Sequence, residues 1–218
     1  DILISHRIVE IINDDMGKGF ITKGDNNSGR DISIVRTDKI KGKIIKVIPQ
    51  GFNFEETHAP NTMTKNPYPL FAYAGVFRKG VRNPSQFLEY LCTKNEKKFK
   101  FTIYTKNLSM VEPYRGRLGE KLEICDYVPR ERLLKELGQM DFLVNFENTN
   151  NVQSPSKLID YALIGRPILS ISSSKFNSKA VDEFLNGNYT NQFVIMDIEQ
   201  YNIKNVVKQF LSLINSDG

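Results

Sequence analysis

The sequence SPSKLIDYALIGRPILSIS, residues 154–172, places polar and cationic side chains where a helix is predicted to begin. Pro155 suits the first turn, because its missing N–H needs no partner there, and Gly165 is placed to end the helix. Ser156 and Lys157 are left at the helix N-terminus, where free N–H groups and the positive dipole end favour an anion. The pattern predicts a pocket for a phosphorylated ligand, and a capped helix with an exposed lysine is the alternative.

A second stretch, GVFRKGVRNPS at residues 75–85, has the composition of a diphosphate-binding loop. Arg78 and Lys79 lie between two glycines, and Arg82 follows shortly before a predicted helix start. Flexible glycines, cations and helix N–H groups together favour a diphosphate. A solvated basic turn is the alternative, because the glycine spacing differs from the dinucleotide-binding pattern.

Both stretches follow apolar runs in a region where predicted strands and helices alternate, from residue 68 onward. Short runs rich in Ile, Val, Phe and Tyr, separated by helical patterns, are typical of β-α units and a parallel sheet. The predicted fold class is therefore α/β, a doubly wound, Rossmann-like sheet with a small β-rich N-terminal segment. Such sheets bind ligands at the carboxyl ends of their strands, near the switch in strand order. The runs LFAYAGVF and DFLVNFE should bring the two basic stretches to that edge.

Four short motifs in the larger part of the chain resemble the C-terminal, donor-binding domain of GT-B glycosyltransferases. Residues 165–167, GRP, match the G-x-P that ends the family's donor motif, and residues 155–158, PSKL, match a variant of divergent members. Residues 79–80, KG, match its basic loop, and residues 48–53, IPQGFN, match the start of its C-terminal domain. The resemblance covers about residues 47–218 and implies one lobe of a two-lobed enzyme.

The resemblance implies transfer of a sugar from a UDP- or GDP-sugar to a glycan or lipid-linked acceptor, with no bound metal and no other cofactor. Without an acceptor lobe, we expect the chain to bind the donor and to turn over poorly. The resemblance implies that Arg78 and Lys79 contact the diphosphate. It implies that Ser156 and Lys157 contact a phosphate or the ribose, and that the sugar pocket is lined by Glu147 and Asn148. Asp160 is implied to contact the ribose hydroxyls, whereas the family's first donor-site glutamate has no counterpart, because Val152 stands eight residues earlier.

Residues 1–48 resemble a different family, the latter part of signal peptidase I of the archaeal and endoplasmic-reticulum type. His6 matches that family's general base, and Asp25, in TKGDNN, matches its supporting aspartate. A serine nucleophile needs such a base and a group that orients it, yet the family's serine motif is not found in this sequence. The plain alternative is a strand pair joined through the turn DDMGKG.

The two resemblances meet at the string KVIP, which indicates a composite chain, whether engineered, misjoined or naturally fused. We therefore expect a signal-peptidase-like β fragment at residues 1–48 and a nucleotide-sugar-binding domain at residues 49–218. Two other functions stay open. One is a serine peptidase, if the first segment defines the protein, and the other is a non-catalytic nucleotide-binding module.

The composition is that of a globular chain with a mildly basic surface. The 218 residues carry a net charge of +5, with 40% hydrophobic content and two cysteines. The basic residues form no stripe with exposed aromatics, so nucleic-acid binding is not expected. Cys92 and Cys125 lack a metal-ligand pattern, which favours reduced, buried thiols. No signal peptide or membrane span is visible, and a cytoplasmic location, with peripheral contact to the inner membrane face, is expected.

Overall fold

The computed structural model describes residues 6–24, 34–36, 48–54, 66–148, 156–172 and 174–214. Two compact units are present, one comprising the residues up to Val47 and the other beginning at Ile48. Asp25 lies outside the described residues.

The first unit contains a three-stranded antiparallel sheet in the order β1-β2-β3. Its strands are β1 (His6–Asp14), β2 (Gly17–Gly24) and β3 (Ile34–Arg36). A two-residue turn joins β1 to β2, so the strand pair expected around DDMGKG is confirmed. The Arg36 guanidinium donates two hydrogen bonds of 2.7 Å to the Asp14 carboxylate, which ties β3 to the end of β1 and holds the pKa of that carboxyl below its ordinary value.

The second unit is built on a five-stranded sheet in which every pairing is parallel. Its strands are β4 (Leu70–Ala74), β5 (Lys100–Tyr104), β6 (Leu122–Cys125), β7 (Phe142–Phe146) and β8 (Ile168–Ile171). The spatial order is β6-β5-β4-β7-β8, so the chain first extends the sheet to one side of β4 and then crosses to the other. The predicted α/β fold class with a small β-rich N-terminal segment is confirmed.

Helices cover both faces of this sheet. They are α1 (Ser85–Cys92), α2 (Glu112–Leu118), α3 (Arg130–Leu137), α4 (Ser156–Ile164), α5 (Ser178–Leu185) and α6 (Ile203–Ile214), with 3-10 turns at Gly119–Lys121 and Ile198–Tyr201. Buried residues of α1, α2 and α5 share one core cluster, and those of α3 and α4 share the other. Since both faces are covered, apolar residues predominate in the strands. The polar exceptions are Lys100, Thr102, Glu123, Asn145 and Ser170.

Most of the largest buried side chains lie on the α1, α2 and α5 side of the sheet, with Tyr161 on the other side. Phe71 stacks on Phe101 and Phe142, with ring centroids 4.8 and 4.6 Å apart. Further along the same face, Tyr73 packs on Phe146 with a centroid separation of 5.0 Å. Aromatic pairs of this kind each add about 0.5–1.5 kcal/mol beyond their buried area. This core therefore fixes β4 and β7 firmly beside each other.

The sequence QFVIMDI, rich in aromatic and β-branched residues, predicts a strand after α5, and this expectation is wrong. The segment QFVIMDI, residues 192–198, is not a strand, although the Phe193 amide donates one hydrogen bond of 2.8 Å to the Ile168 carbonyl. Val194 and Met196 are exposed, so the segment has no second face to bury. The residues that would form a strand leading into IPQGFN lie before residue 48, outside the described part of the chain. Within residues 48–54, Phe52 makes an isolated parallel bridge with Asn202.

Candidate functional site

The candidate site lies at the carboxyl ends of β4 and β7, where the strand order changes direction. β4 pairs with β5 on one side and with β7 on the other. The loop after β4, the residues directly after β7 and the beginning of α4 meet at this edge, as the contacts below establish. A crevice at this point of a doubly wound sheet is where ligands of the fold bind.

The loop after β4 is a tight turn and not an open coil. Gly75 ends the strand with a φ of 150°, and a Cβ atom there would lie 2.8 Å from the Tyr73 hydroxyl. Beyond it, Arg78 and Arg82 exchange two backbone hydrogen bonds, of 3.1 and 2.9 Å, across a turn in which Gly80 has a φ of 77°. Both glycines therefore occupy conformations that other residues rarely adopt.

This turn separates its cations into two environments. Arg78 and Lys79 are exposed at its tip, whereas Arg82 is half-buried and points toward β7. The Arg82 Nε atom donates a hydrogen bond of 2.6 Å to the Asn148 Oδ1 atom. Arg82 was noticed in the sequence but left out of the predicted binding set, and its only signal was its place just before the helix.

Lys157 occupies the first turn of α4 and extends over the end of β4. Its Nζ atom lies 4.1 Å from the centroid of the Tyr73 ring, which is itself packed between Phe77 and Phe146. The stem of the side chain is partly exposed, but the nitrogen is enclosed and has no hydrogen-bond acceptor among the described residues. The alternative of an exposed lysine on a capped helix does not apply to this nitrogen.

Burial lowers the pKa of the Lys157 amine well below its ordinary 10.5, and the positive charge of Arg82 lowers it further. The ring below the amine favours the ammonium form by about 0.5–2 kcal/mol. Removing an unpaired ion from water costs several kcal/mol, so the loss of hydration outweighs the ring. Burial also raises the pKa of Tyr73, and Arg82 opposes that change.

A buried tyrosine fixes α4 to the end of β4. The Tyr161 hydroxyl accepts a hydrogen bond of 2.8 Å from the Ala74 amide, the last amide of the strand. Tyr161 is fully buried, and this loss of hydration raises the pKa of its phenol. The helix ends at Gly165, where φ is 74°. These contacts set the position from which Lys157 reaches the site.

A chain of polar groups runs from the interior to Glu147 at the end of β7. The Asn145 Nδ2 atom donates to the Ser170 hydroxyl, which donates to the Glu147 carboxylate, and both distances are 2.9 Å. Asn145 is buried, and its Oδ1 atom has no hydrogen-bond partner among the described residues. Glu147 itself is exposed, so its carboxylate is held in place while it remains open to solvent.

The structure does not gather all the predicted residues into one cluster. Ser156 is exposed at the first position of α4, and Asp160 faces α3, where its Oδ1 atom lies 2.7 Å from the Arg130 Nη2 atom. Arg130 was not part of the predicted set. The half-site of His6 and Asp25 stays a prediction, since Asp25 and the side chain of His6 are outside the described part.

Within the described ranges, no group of three or more His, Cys, Asp or Glu residues is placed to hold a metal ion. Cys92 and Cys125 are free, as expected, although both are half-buried and not buried. No helix in the described part of the chain is both long and apolar enough to cross a membrane.

No protein-family model matches the sequence, and no curated protein sequence matches it. Solved structures do match, among them the apo form of the lipopolysaccharide outer core galactosyltransferase WaaB, at 14% identity, covering 79% of this chain and 56% of that one with a TM-score of 0.56. HepE of Anabaena in complex with UDP-glucose matches at 9% identity, with coverages of 78% and 57% and a TM-score of 0.56. A glycosyltransferase of Rickettsia africae matches at 10% identity, with coverages of 82% and 57% and the same TM-score.

At these identities the likeness establishes the fold, which is that of one GT-B-like lobe. The chain spans little more than half the length of the solved structures that it matches, 56–57% for these three.

Proposed function

We propose that this chain is the nucleotide-sugar-binding lobe of a glycosyltransferase. The observation that carries the proposal is the enclosed Lys157 nitrogen, which lacks an acceptor in the described part of the chain and lies close enough to Arg82 for that charge to lower its pKa. A guanidinium beside an enclosed amine that has no acceptor among the described residues forms an incomplete anion site. A diphosphate at the switch point would supply the missing charge.

In this proposal, the residues divide by the part of the donor that they contact. The diphosphate lies between Arg82 and Lys157, at the positive end of α4, with the Ser156 hydroxyl and amide beside it. Arg78 and Lys79 add exposed positive charge that attracts the donor. The remaining predicted contacts are Glu147 and Asn148 to the sugar and Asp160, held by Arg130, to the ribose.

The proposed reaction transfers the sugar from a UDP- or GDP-sugar to a glycan or lipid-linked acceptor. When the bond between the sugar and the diphosphate breaks, negative charge develops on the departing diphosphate. Fixed donors and cations already aimed at that charge lower the barrier. Arg82 has the required placement, because its hydrogen bond to Asn148 and the core on which β7 rests hold it in position.

We also propose that residues 1–48 and residues 49–218 are separate domains and that the first resembles a signal peptidase fragment. The division is supported by a difference in strand pairing, because β1, β2 and β3 pair antiparallel whereas the strands of the larger sheet pair parallel. A chain without residues 1–46, or with His6→Ala, should bind nucleotides as the full chain does. Signal-peptide cleavage that disappears with His6→Ala would instead favour a peptidase.

Calorimetric titration with UDP, GDP, UDP-glucose and GDP-mannose tests the donor-binding proposal. HepE was solved with UDP-glucose, which makes that compound a suitable first ligand. We expect one nucleotide class to bind and Arg82→Ala to weaken its binding. Lys179→Ala serves as the matched control, because that lysine side chain is 85% exposed on α5. Failure of all four compounds to bind would contradict the proposal.

A further inference from the structure

The Lys157 nitrogen is unusual in being enclosed with no hydrogen-bond acceptor among the described residues. Below the nitrogen lies the face of the Tyr73 ring, whose centroid is 4.1 Å away. An isolated buried ammonium gives up its proton more readily than it stays charged without a partner. Geometry alone therefore argues against an ammonium at this position when no ligand is bound.

The charged and titratable groups on the neighbouring elements do not change that conclusion. From the loop after β4 comes Arg82, which repels a second positive charge, and from β4 comes the Tyr73 phenol, whose own pKa is raised by burial. The two carboxylates near this edge are engaged by other groups. Glu147, which follows β7, accepts a hydrogen bond from the Ser170 hydroxyl of β8. Asp160 on α4 pairs with Arg130 of α3.

We propose that a diphosphate binds at this site together with a proton, so that Lys157 is a neutral amine in the free protein and an ammonium in the complex. This inference rests on the proposed function, since its ligand is the diphosphate of a nucleotide sugar. The proton comes from the buffer and joins the Nζ lone pair, and no covalent bond of the ligand changes. The entering negative charge repays the cost that keeps the amine neutral in the free protein.

Nucleotide sugars are well suited to reveal this coupling. Each phosphate of a nucleotide sugar carries one ester and one anhydride linkage and therefore keeps a single charge across the neutral range, whereas a terminal phosphate has a second pKa of about 6. Protons taken up when a nucleotide sugar binds therefore belong to the protein. By linkage, uptake of one proton makes the affinity fall about tenfold for each unit of rising pH.

The test is calorimetric titration of the full chain with UDP-glucose, and with GDP-mannose if UDP-glucose does not bind. Titrations at about pH 8 in HEPES and in Tris, which differ in ionisation enthalpy, give the number of protons exchanged. We expect uptake close to one proton in the unaltered chain and in Lys179→Ala. We expect no proton uptake in Lys157→Met, which binds the nucleotide sugar more weakly. We also expect no proton uptake in Lys157→Arg, because arginine keeps its charge.

Three results would overturn the coupling. Binding with no proton uptake would refute it while leaving the proposed function intact, and so would unchanged uptake in Lys157→Met, which would assign the proton to another group. Absence of binding by both nucleotide sugars from about pH 6 to pH 9 would refute the coupling and the proposed function together. Should both Lys157 variants fail to fold, the pH dependence of the dissociation constant in the unaltered chain decides, because a flat profile contradicts the coupling.

Discussion

Replacing Lys157 with methionine should make the ligand-free protein more stable, whereas the same change at an exposed lysine has little effect. An enclosed amine without a hydrogen-bond partner among the described residues carries a cost of about 1–3 kcal/mol. Methionine has a similar length, places no polar atom at the tip and keeps its sulfur near the Tyr73 ring, a contact worth about 0.3–1.5 kcal/mol. We therefore expect a gain of about 1–3 kcal/mol at high pH, where the lysine is neutral in both states.

The gain should grow as the pH falls. The pKa of Lys157 is lowered in the folded protein and returns to its ordinary 10.5 in the unfolded chain. Between those two values the unfolded chain binds more protons, so the stability of the lysine protein rises with pH by up to about 1.4 kcal/mol per unit. Methionine does not titrate. Its advantage should therefore increase by up to that amount for each unit below 10.5 and become constant below the lowered pKa.

Urea denaturation of both proteins from about pH 7 to pH 10 measures this difference. The matched control is Lys179→Met, which removes a lysine whose side chain is 85% exposed and should change the free energy of unfolding by no more than about 0.5 kcal/mol. A Lys157→Met protein that is less stable than the unaltered chain throughout would refute the reasoning. A difference that does not vary with pH would refute the lowered pKa.

Two further changes separate ligand binding from folding. Arg82→Ala should weaken UDP-glucose binding about tenfold or more, as expected for a charge-assisted contact. The combined change of the exposed Arg78 and Lys79 to alanine should weaken binding less, and its effect should fade as salt is added. Equal losses of affinity in calorimetry would assign the diphosphate to the loop tip instead. Tyr161→Phe removes the acceptor of the Ala74 amide and should lower the free energy of unfolding by about 1–3 kcal/mol. Thermal or urea denaturation measures this loss, and an unchanged stability would show that the amide finds another partner.

Much of the larger unit could be predicted from the sequence because its signals are local. Apolar runs bounded by polar turns gave the positions of β4, β5, β7 and β8, and the proline and glycine around PSKLIDYALIG predicted α4. The alternation of these elements dictates a parallel sheet with helices on both faces. A strand order that switches beside β4 then follows from right-handed connections.

The errors occurred where tertiary contacts outweigh local preference. The sequence between β5 and β6 is charged and irregular and predicts no helix, yet α2 forms there. Burial of Tyr114 and Leu118 in the core supplies the stability that the local sequence lacks. Conversely, QFVIMDI has the composition of a strand but meets the edge of β8 through a single hydrogen bond.

The candidate site was predicted in outline and not in detail. Cations beside a helix start were evident from residues 75–85 and from Ser156 and Lys157. The enclosure of the Lys157 nitrogen was not, because it depends on where α4 rests against β4 and thus on Tyr73 lying below it. Similarly, the choice of Arg82 over Arg78 is made by a hydrogen bond to Asn148, 66 positions away in the chain.

A crystal structure of the chain grown with UDP-glucose tests the central claim most directly. The account predicts that the diphosphate lies at the switch point, with its oxygens about 2.7–3.2 Å from the Arg82 guanidinium and the Lys157 nitrogen. The amine that has no acceptor among the described residues of the ligand-free protein would then have one. A nucleotide sugar bound elsewhere on the molecule, with the Lys157 nitrogen still facing only the ring of Tyr73, would contradict the account.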